Sequence, residues 1–238
     1  MLSPKPWKPE AVLRLAFGVF LSLLLGTLLA WLVSGTAAGA KPLPSLGRII
    51  LSAICFQGAG IVLVAWFVRA HQMSWGEAFG LRHNQLQAVV LGALAISCFM
   101  PVGQVLQQGS LFVLERVGIR PVTQEAVVAL RDVGHGPGLV AFAIITIIVA
   151  PFGEELLFRG ILYPAIKEAG FPRLAWWGSS AIFSGIHLNM PIFLPLLVLA
   201  LVLVWLYEKT DNLLAPIVAH ALFNATNLVL FFAFPVKP

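Results

Sequence analysis

Three short stretches in the C-terminal half hold side chains that could do chemistry together. Glu154 and Glu155 are adjacent with Arg159 close behind, His187 follows Phe183 by four residues, and Asn224 follows His220 by four. A spacing of i,i+4 puts two side chains on one helix face, so Glu155 and Arg159, acid first, form a favourable ion pair. By the same rule His220 and Asn224 project together. Glu154 points about 100° around the helix from Glu155, which leaves it without a partner nearby in sequence. Such an acid suits a group that binds water and exchanges protons. Glu155 and Arg159 read instead as a structural pair, with Phe183 packing below the His187 imidazole.

One acid, two imidazoles and one carboxamide suffice for peptide hydrolysis by activated water. The carboxylate takes a proton from water and later delivers it to the leaving amine, and one imidazole helps to hold the nucleophile. The other imidazole and the Asn224 amide donate to the oxyanion. The same groups could instead hold Zn²⁺ through Glu154, His187 and His220, with an open position for water.

The elements that must position these groups belong in lipid. Of 238 residues, 59% are hydrophobic and only 11% charged, with a mean hydropathy of +0.93. A soluble domain carries about 25% charged residues. An ordinary soluble enzyme, a disordered chain and a secreted disulfide scaffold are therefore excluded, and an all-α polytopic transmembrane bundle is expected. The net charge of +5 comes from scattered single Lys and Arg residues. These anchor loops at a lipid surface and do not mark a nucleic-acid partner. Cys55 and Cys98 lie in apolar runs and read as small core residues.

Apolar runs of about 20 residues, the length of a bilayer crossing, predict about seven spans, to within one, near 12–33, 49–68, 86–106, 139–166, 174–189, 192–207 and 213–234. The first is flanked by Lys5, Lys8 and Arg14 before it and Ala38-Gly39-Ala40 after it. It exceeds a signal core of about 7–15 residues and is expected to be a retained helix. Residues 107–137 read as a long loop with surface helices at 110–117 and 123–131, ended by the breaker Gly134-His135-Gly136-Pro137-Gly138. The fourth span is expected to be interrupted near Pro151 and Gly153, and Asp211 or Asn212 to cap the seventh.

Ionisable residues inside a membrane are costly and functional by default, and spans one to three hold no interior acid, lysine or histidine. The chain thus divides, within one structural unit, into N-terminal helices and a long loop (1–138) and a catalytic-type region (139–238). Eight Lys and Arg residues fall on the side of the N terminus and six on the other, which favours a cytoplasmic N terminus. Counted from that side at about 1.5 Å per residue, the candidate residues lie at depths of roughly 10–20 Å, compatible with one site opening to the cytoplasm.

These motifs resemble those of a known family. Glu154-Glu155-x-x-x-Arg159, Phe183-x-x-x-His187 and His220-x-x-x-Asn224 look like the three signatures of the CPBP intramembrane proteases, which comprise type II CAAX prenyl endopeptidases and bacterial Abi proteins. Ala150-Pro151 before the acids, Leu157-Phe158-Arg159-Gly160 after them and Gly80-Leu81-Arg82 ahead of the third span are similar too. The resemblance covers roughly 151–227. It implies an integral protein of the bacterial plasma membrane with a recessed active site. Glu154 and His220 would activate water, His187 and Asn224 would stabilise the oxyanion, and the substrate would be a membrane-tethered peptide or protein, prenylated in the CAAX branch.

Other readings compete. A rhomboid-type serine site wants Gly-x-Ser-Gly, and the chain offers only Ile182-Phe183-Ser184-Gly185. Its two aspartates, Asp132 and Asp211, fall in predicted loops, and His-Glu-x-x-His is absent. A proton-coupled transporter would need inverted repeats with paired broken helices. A non-catalytic immunity or scaffold protein could use the same fold.

Overall fold

Hydrocarbon offers no partner to a free N–H or C=O, so a chain this apolar must satisfy its backbone within helices. The computed structural model describes residues 2–33, 45–119, 125–133 and 136–234, and every regular element among them is helical. Helix α1 (Pro9–Val33) is followed by α2 (Ser45–Ala53), a π-helical turn π1 (Ile54–Gly58) and α3 (Ala59–Ala70). The short turn α4 (Trp75–Ala78) precedes α5 (Gln85–Arg116). After α6 (Glu125–Val133) come α7 (Pro137–Ile144), π2 (Ile145–Val149), α8 (Ala150–Glu155), π3 (Leu156–Leu162) and α9 (Tyr163–Glu168). The chain closes with α10 (Pro172–Gly185), α11 (Met190–Thr210) and α12 (Leu214–Ala233).

Among the described residues, six stretches are long and apolar enough to cross a membrane: Pro9–Leu29, Leu46–Ala70, Gln85–Arg116, Pro137–Glu168, Met190–Thr210 and Leu214–Ala233. This is an integral membrane protein built as a polytopic helical bundle. The sequence predicts seven spans, and α10 makes the difference. Its 14 residues rise only about 21 Å, short of roughly 30 Å of hydrocarbon. It packs against both α9 and α11 and stops early, so the chain turns at 186–189 beside a cavity.

The 107–137 segment differs from expectation. Residues 110–117 form no separate surface helix, because α5 runs on through Pro101 to Arg116. The second surface helix is present as α6. Thr123, Gly134-His135 and Ala38-Gly39-Ala40 lie outside the described residues. Cys98 is exposed towards lipid, contrary to a core role, and Cys55 is half-buried; both are free thiols.

The fourth span does not break at Pro151. Proline lacks the N–H that would bond back up the helix, and the wider π turn π2 lies immediately before α8. The shift of hydrogen-bond register absorbs the missing donor, so the span stays wound. The N-cap position falls to Leu213, which has no side-chain cap, and not to Asp211 or Asn212; Asn212, one residue earlier, still accepts from the Leu214 N–H through its Oδ1 at 2.9 Å. Asp211 instead ends α11 with φ +48°.

One end of the bundle, here the N-terminal face, is sealed. The Leu2 N–H, the Tyr163 hydroxyl and the Lys167 ammonium all donate to Glu208. Ser3 and Lys5 meet Asp211, and burial pushes the Lys5 ammonium below the usual lysine range. The Trp7 indole N–H donates to the Gly160 carbonyl at 3.0 Å. The 79–83 loop is held by Leu213 N–H to Phe79 O at 2.9 Å and Asn212 Nδ2 to His83 O at 2.6 Å. Gly80, at φ +68°, lies where a Cβ would be 1.7 Å from the Asp211 carbonyl, so only glycine permits this closure.

Candidate active site

Helix α8 with π3, the turn that follows α10, and α12 bring the candidate residues together. Glu155 and Arg159 form the expected pair at 2.8 Å, with side chains 0% and 1% exposed. The arginine's other arm donates to the Ala200 carbonyl at 3.2 Å, and its guanidinium lies 4.5 Å over the Phe183 ring. Buried Phe183 also touches the rings of His187 and His220, at centroid distances of 5.1 and 5.7 Å. It therefore packs against both imidazoles, one more than its sequence spacing indicates.

Glu155 does more than pair with Arg159. Its Oε1 lies 2.9 Å from Nδ1 of buried His220, while Nε2 of the same ring is 3.9 Å from Glu154 Oε2. The two adjacent carboxylates thus flank one imidazole. A carboxylate only accepts hydrogen bonds, so Nδ1 carries the proton and, in the neutral ring, Nε2 presents a lone pair. A separation of 3.9 Å is too long for a direct hydrogen bond. It matches a water about 2.8 Å from each atom, subtending nearly a right angle.

His187 is exposed and lines the same cavity as Glu154, His220 and Asn224, a space of about 910 Å³. Its Nδ1 lies 2.8 Å from the Phe183 carbonyl, which fixes that nitrogen as a donor. Donation from Nε2 to an oxyanion then requires the imidazolium form. Asn224 Nδ2 donates to the Thr146 carbonyl at 2.7 Å, leaving one amide hydrogen for the cavity. All four expected residues are brought to one cavity.

Two expectations change. The cavity is walled by α5, α6, residues 187–192 and the latter half of α12, so its mouth lies opposite the sealed N-terminal face. A cytoplasmic N terminus and a cytoplasmic opening cannot both hold. Among the described residues, no three His, Cys, Asp or Glu side chains gather to hold a metal. Glu154, His187 and His220 therefore do not converge as a Zn²⁺ ligand set in this arrangement. Ser184, the decoy for a serine site, is buried with its hydroxyl donated to the Phe193 carbonyl.

Sequence reasoning passed over Gln57, whose Nε2 lies 3.5 Å from Glu154 Oε1. A lone carboxamide within Ile54-Cys55-Phe56-Gln57-Gly58 was a readable signal, since polar groups inside a span are expensive. The carbonyls of Thr146 and Ala200, which hold Asn224 and Arg159, carried no side-chain signal.

The C-terminal part of the chain is similar to known proteins. "UPF0177 protein YxdF" of Lactococcus lactis is 31% identical over 78 residues, covering 32% of this chain and 42% of that protein. "Putative membrane peptidase YdiL" of Bacillus subtilis is 32% identical over 94 residues, covering 40% of this chain and 38% of that protein. The chain thus spans about two-fifths of the length of these curated relatives. No solved structure gives a significant match. Residues 136–226, the stretch holding Glu154, His187, His220 and Asn224, match the Rce1-like family of type II CAAX prenyl endopeptidases, in keeping with the CPBP resemblance of the three motifs.

Proposed function

We propose that this protein is an intramembrane endopeptidase that hydrolyses a peptide bond of a membrane-associated substrate with water activated between Glu154 and His220. The observation that carries this reading is the 3.9 Å separation of Glu154 Oε2 and His220 Nε2, with the far side of the imidazole clamped by Glu155 at 2.9 Å. Neither a proton-coupled transporter nor a non-catalytic immunity scaffold needs that arrangement.

Water held between the two atoms gives one proton to the Glu154 carboxylate, and the resulting hydroxide adds to the substrate carbonyl carbon. The negative charge moves to the carbonyl oxygen, where the free Asn224 amide hydrogen and protonated His187 donate to it. Collapse breaks the C–N bond as Glu154 returns the proton to the leaving amine. Glu155 keeps the His220 ring in one orientation and tautomer throughout. The family description points to CAAX-type prenylated C termini as the substrate class. The apolar cavity wall of Met100, Leu111, Val127, Leu130 and Phe231 suits a lipid-modified chain.

Cleavage of a membrane-tethered peptide by the purified protein in lipid nanodiscs tests the reading. Glu154→Gln should lower the rate by about 10²- to 10⁴-fold, the usual worth of general acid–base catalysis. A wild-type rate in that variant would remove Glu154 from the mechanism.

A further inference from the structure

Gln57 sits in the middle of an apolar span, where a carboxamide gains little from its surroundings. Its Nε2 reaches Glu154 Oε1 at 3.5 Å, while its own Oε1 is buried with no hydrogen-bond partner. Leaving a buried polar atom unsatisfied is unfavourable, and an orphan of this kind calls for a reason. The local backbone is arranged around the contact. The π turn π1 places Gln57 against α8, and Gly153 has no side chain where a Cβ would meet Gln57 Cβ at 3.2 Å and Cγ at 3.3 Å. The stem of Gln57 therefore lies on the backbone next to Glu154.

Resting on the reading of Glu154 as the proton acceptor, we infer that Gln57 is a positioning residue that fixes which carboxylate oxygen takes the proton. Its N–H occupies Oε1, so the carboxylate cannot rotate and Oε2 stays turned to His220. Water then finds one basic oxygen at a fixed distance from Nε2. A length of 3.5 Å is at the outer limit of hydrogen bonding, and such contacts tighten when substrate arrives.

The test compares wild type with Gln57→Met, which keeps the length and volume of the side chain but has no donor. The full chain is assayed in nanodiscs with a membrane-tethered peptide. We expect kcat to fall about tenfold, the lower end of a hydrogen bond to a charged group, with KM within about twofold and an unfolding midpoint no lower than wild type. In a Glu154→Gln background, Gln57→Met should have no further effect, because the residue acts through that acid. Should Gln57→Met not fold, Gln57→Asn, which keeps an amide one methylene shorter, is read for the same loss of kcat at constant KM. Wild-type kcat and KM in the folded variant would overturn the inference, as would a loss confined to stability. Full activity of Glu154→Gln would overturn the underlying mechanism instead, so the two failures are distinguishable.

Discussion

Replacing Glu155 by glutamine separates two jobs that its one oxygen performs. Glu155 Oε1 receives Arg159 at 2.8 Å and His220 at 2.9 Å, all three side chains being buried. Glu155→Gln leaves the guanidinium without its counter-charge. Breaking a buried ion pair from one side costs about 3–5 kcal/mol, a large part of a total stability of about 5–15 kcal/mol. It also removes the anionic acceptor that holds the His220 tautomer, so activity should fall by about 10²- to 10⁴-fold. Arg159→Met alone should destabilise similarly by stranding the Glu155 charge. The double variant Glu155→Gln/Arg159→Met removes both charges, and such replacements are often neutral. It should recover most of the lost stability but none of the lost activity. Unfolding midpoints in mixed detergent micelles and cleavage rates on the same preparations supply the comparison. Recovery of activity along with stability would mean that Glu155 is structural alone, and an undisturbed midpoint in Glu155→Gln would refute the burial argument.

Asn224→Ala should reduce kcat by about 10²- to 10³-fold with little change in KM, as judged by steady-state cleavage; an effect on KM alone would assign Asn224 to substrate binding. Trp7→Phe removes the donor to the buried Gly160 carbonyl and should cost about 1–3 kcal/mol without altering kcat, because the N-terminal strap, residues 2–8, lies on the face away from the cavity; a change in kcat would contradict that separation. Single cysteines at Leu188 and Arg82, in a background with Cys55 and Cys98 replaced, should react with an impermeant maleimide from opposite sides of the membrane, Leu188 marking the side from which substrate enters. Labelling of both from one side would contradict the chain path.

The sequence revealed the residues but not how they meet. Glu154, His187, His220 and Asn224 were readable because each is expensive in lipid, and the Glu155–Arg159 pair because i,i+4 neighbours share a face on any helix. The bond from Glu155 to His220 joins residues 65 apart in sequence, and helical periodicity carries no such information. Counting about 100° per residue separates Glu154 from Glu155 correctly, yet it hides that His220 sits between them. The length of α10 was blurred because Ile186 and Leu188 beyond its end are as apolar as a span. Pro151 suggested a break, but a π turn relaxes the helix at little visible cost in composition. Charge counting places loops on sides, not the mouth of a cavity. Only the packing of the 2–8 strap and the 79–83 loop against 208–213 shows which end is closed.

The origin of the oxygen in the product tests the central claim most directly. When a single turnover is run in ¹⁸O-water, the new carboxyl group should carry one solvent oxygen, no acyl-enzyme should be trapped on quenching, and Glu154→Gln should produce neither label nor product over the same interval. A covalent peptidyl-enzyme isolated from wild type, or labelled product formed by Glu154→Gln at the wild-type rate, would contradict water activation by Glu154 and His220.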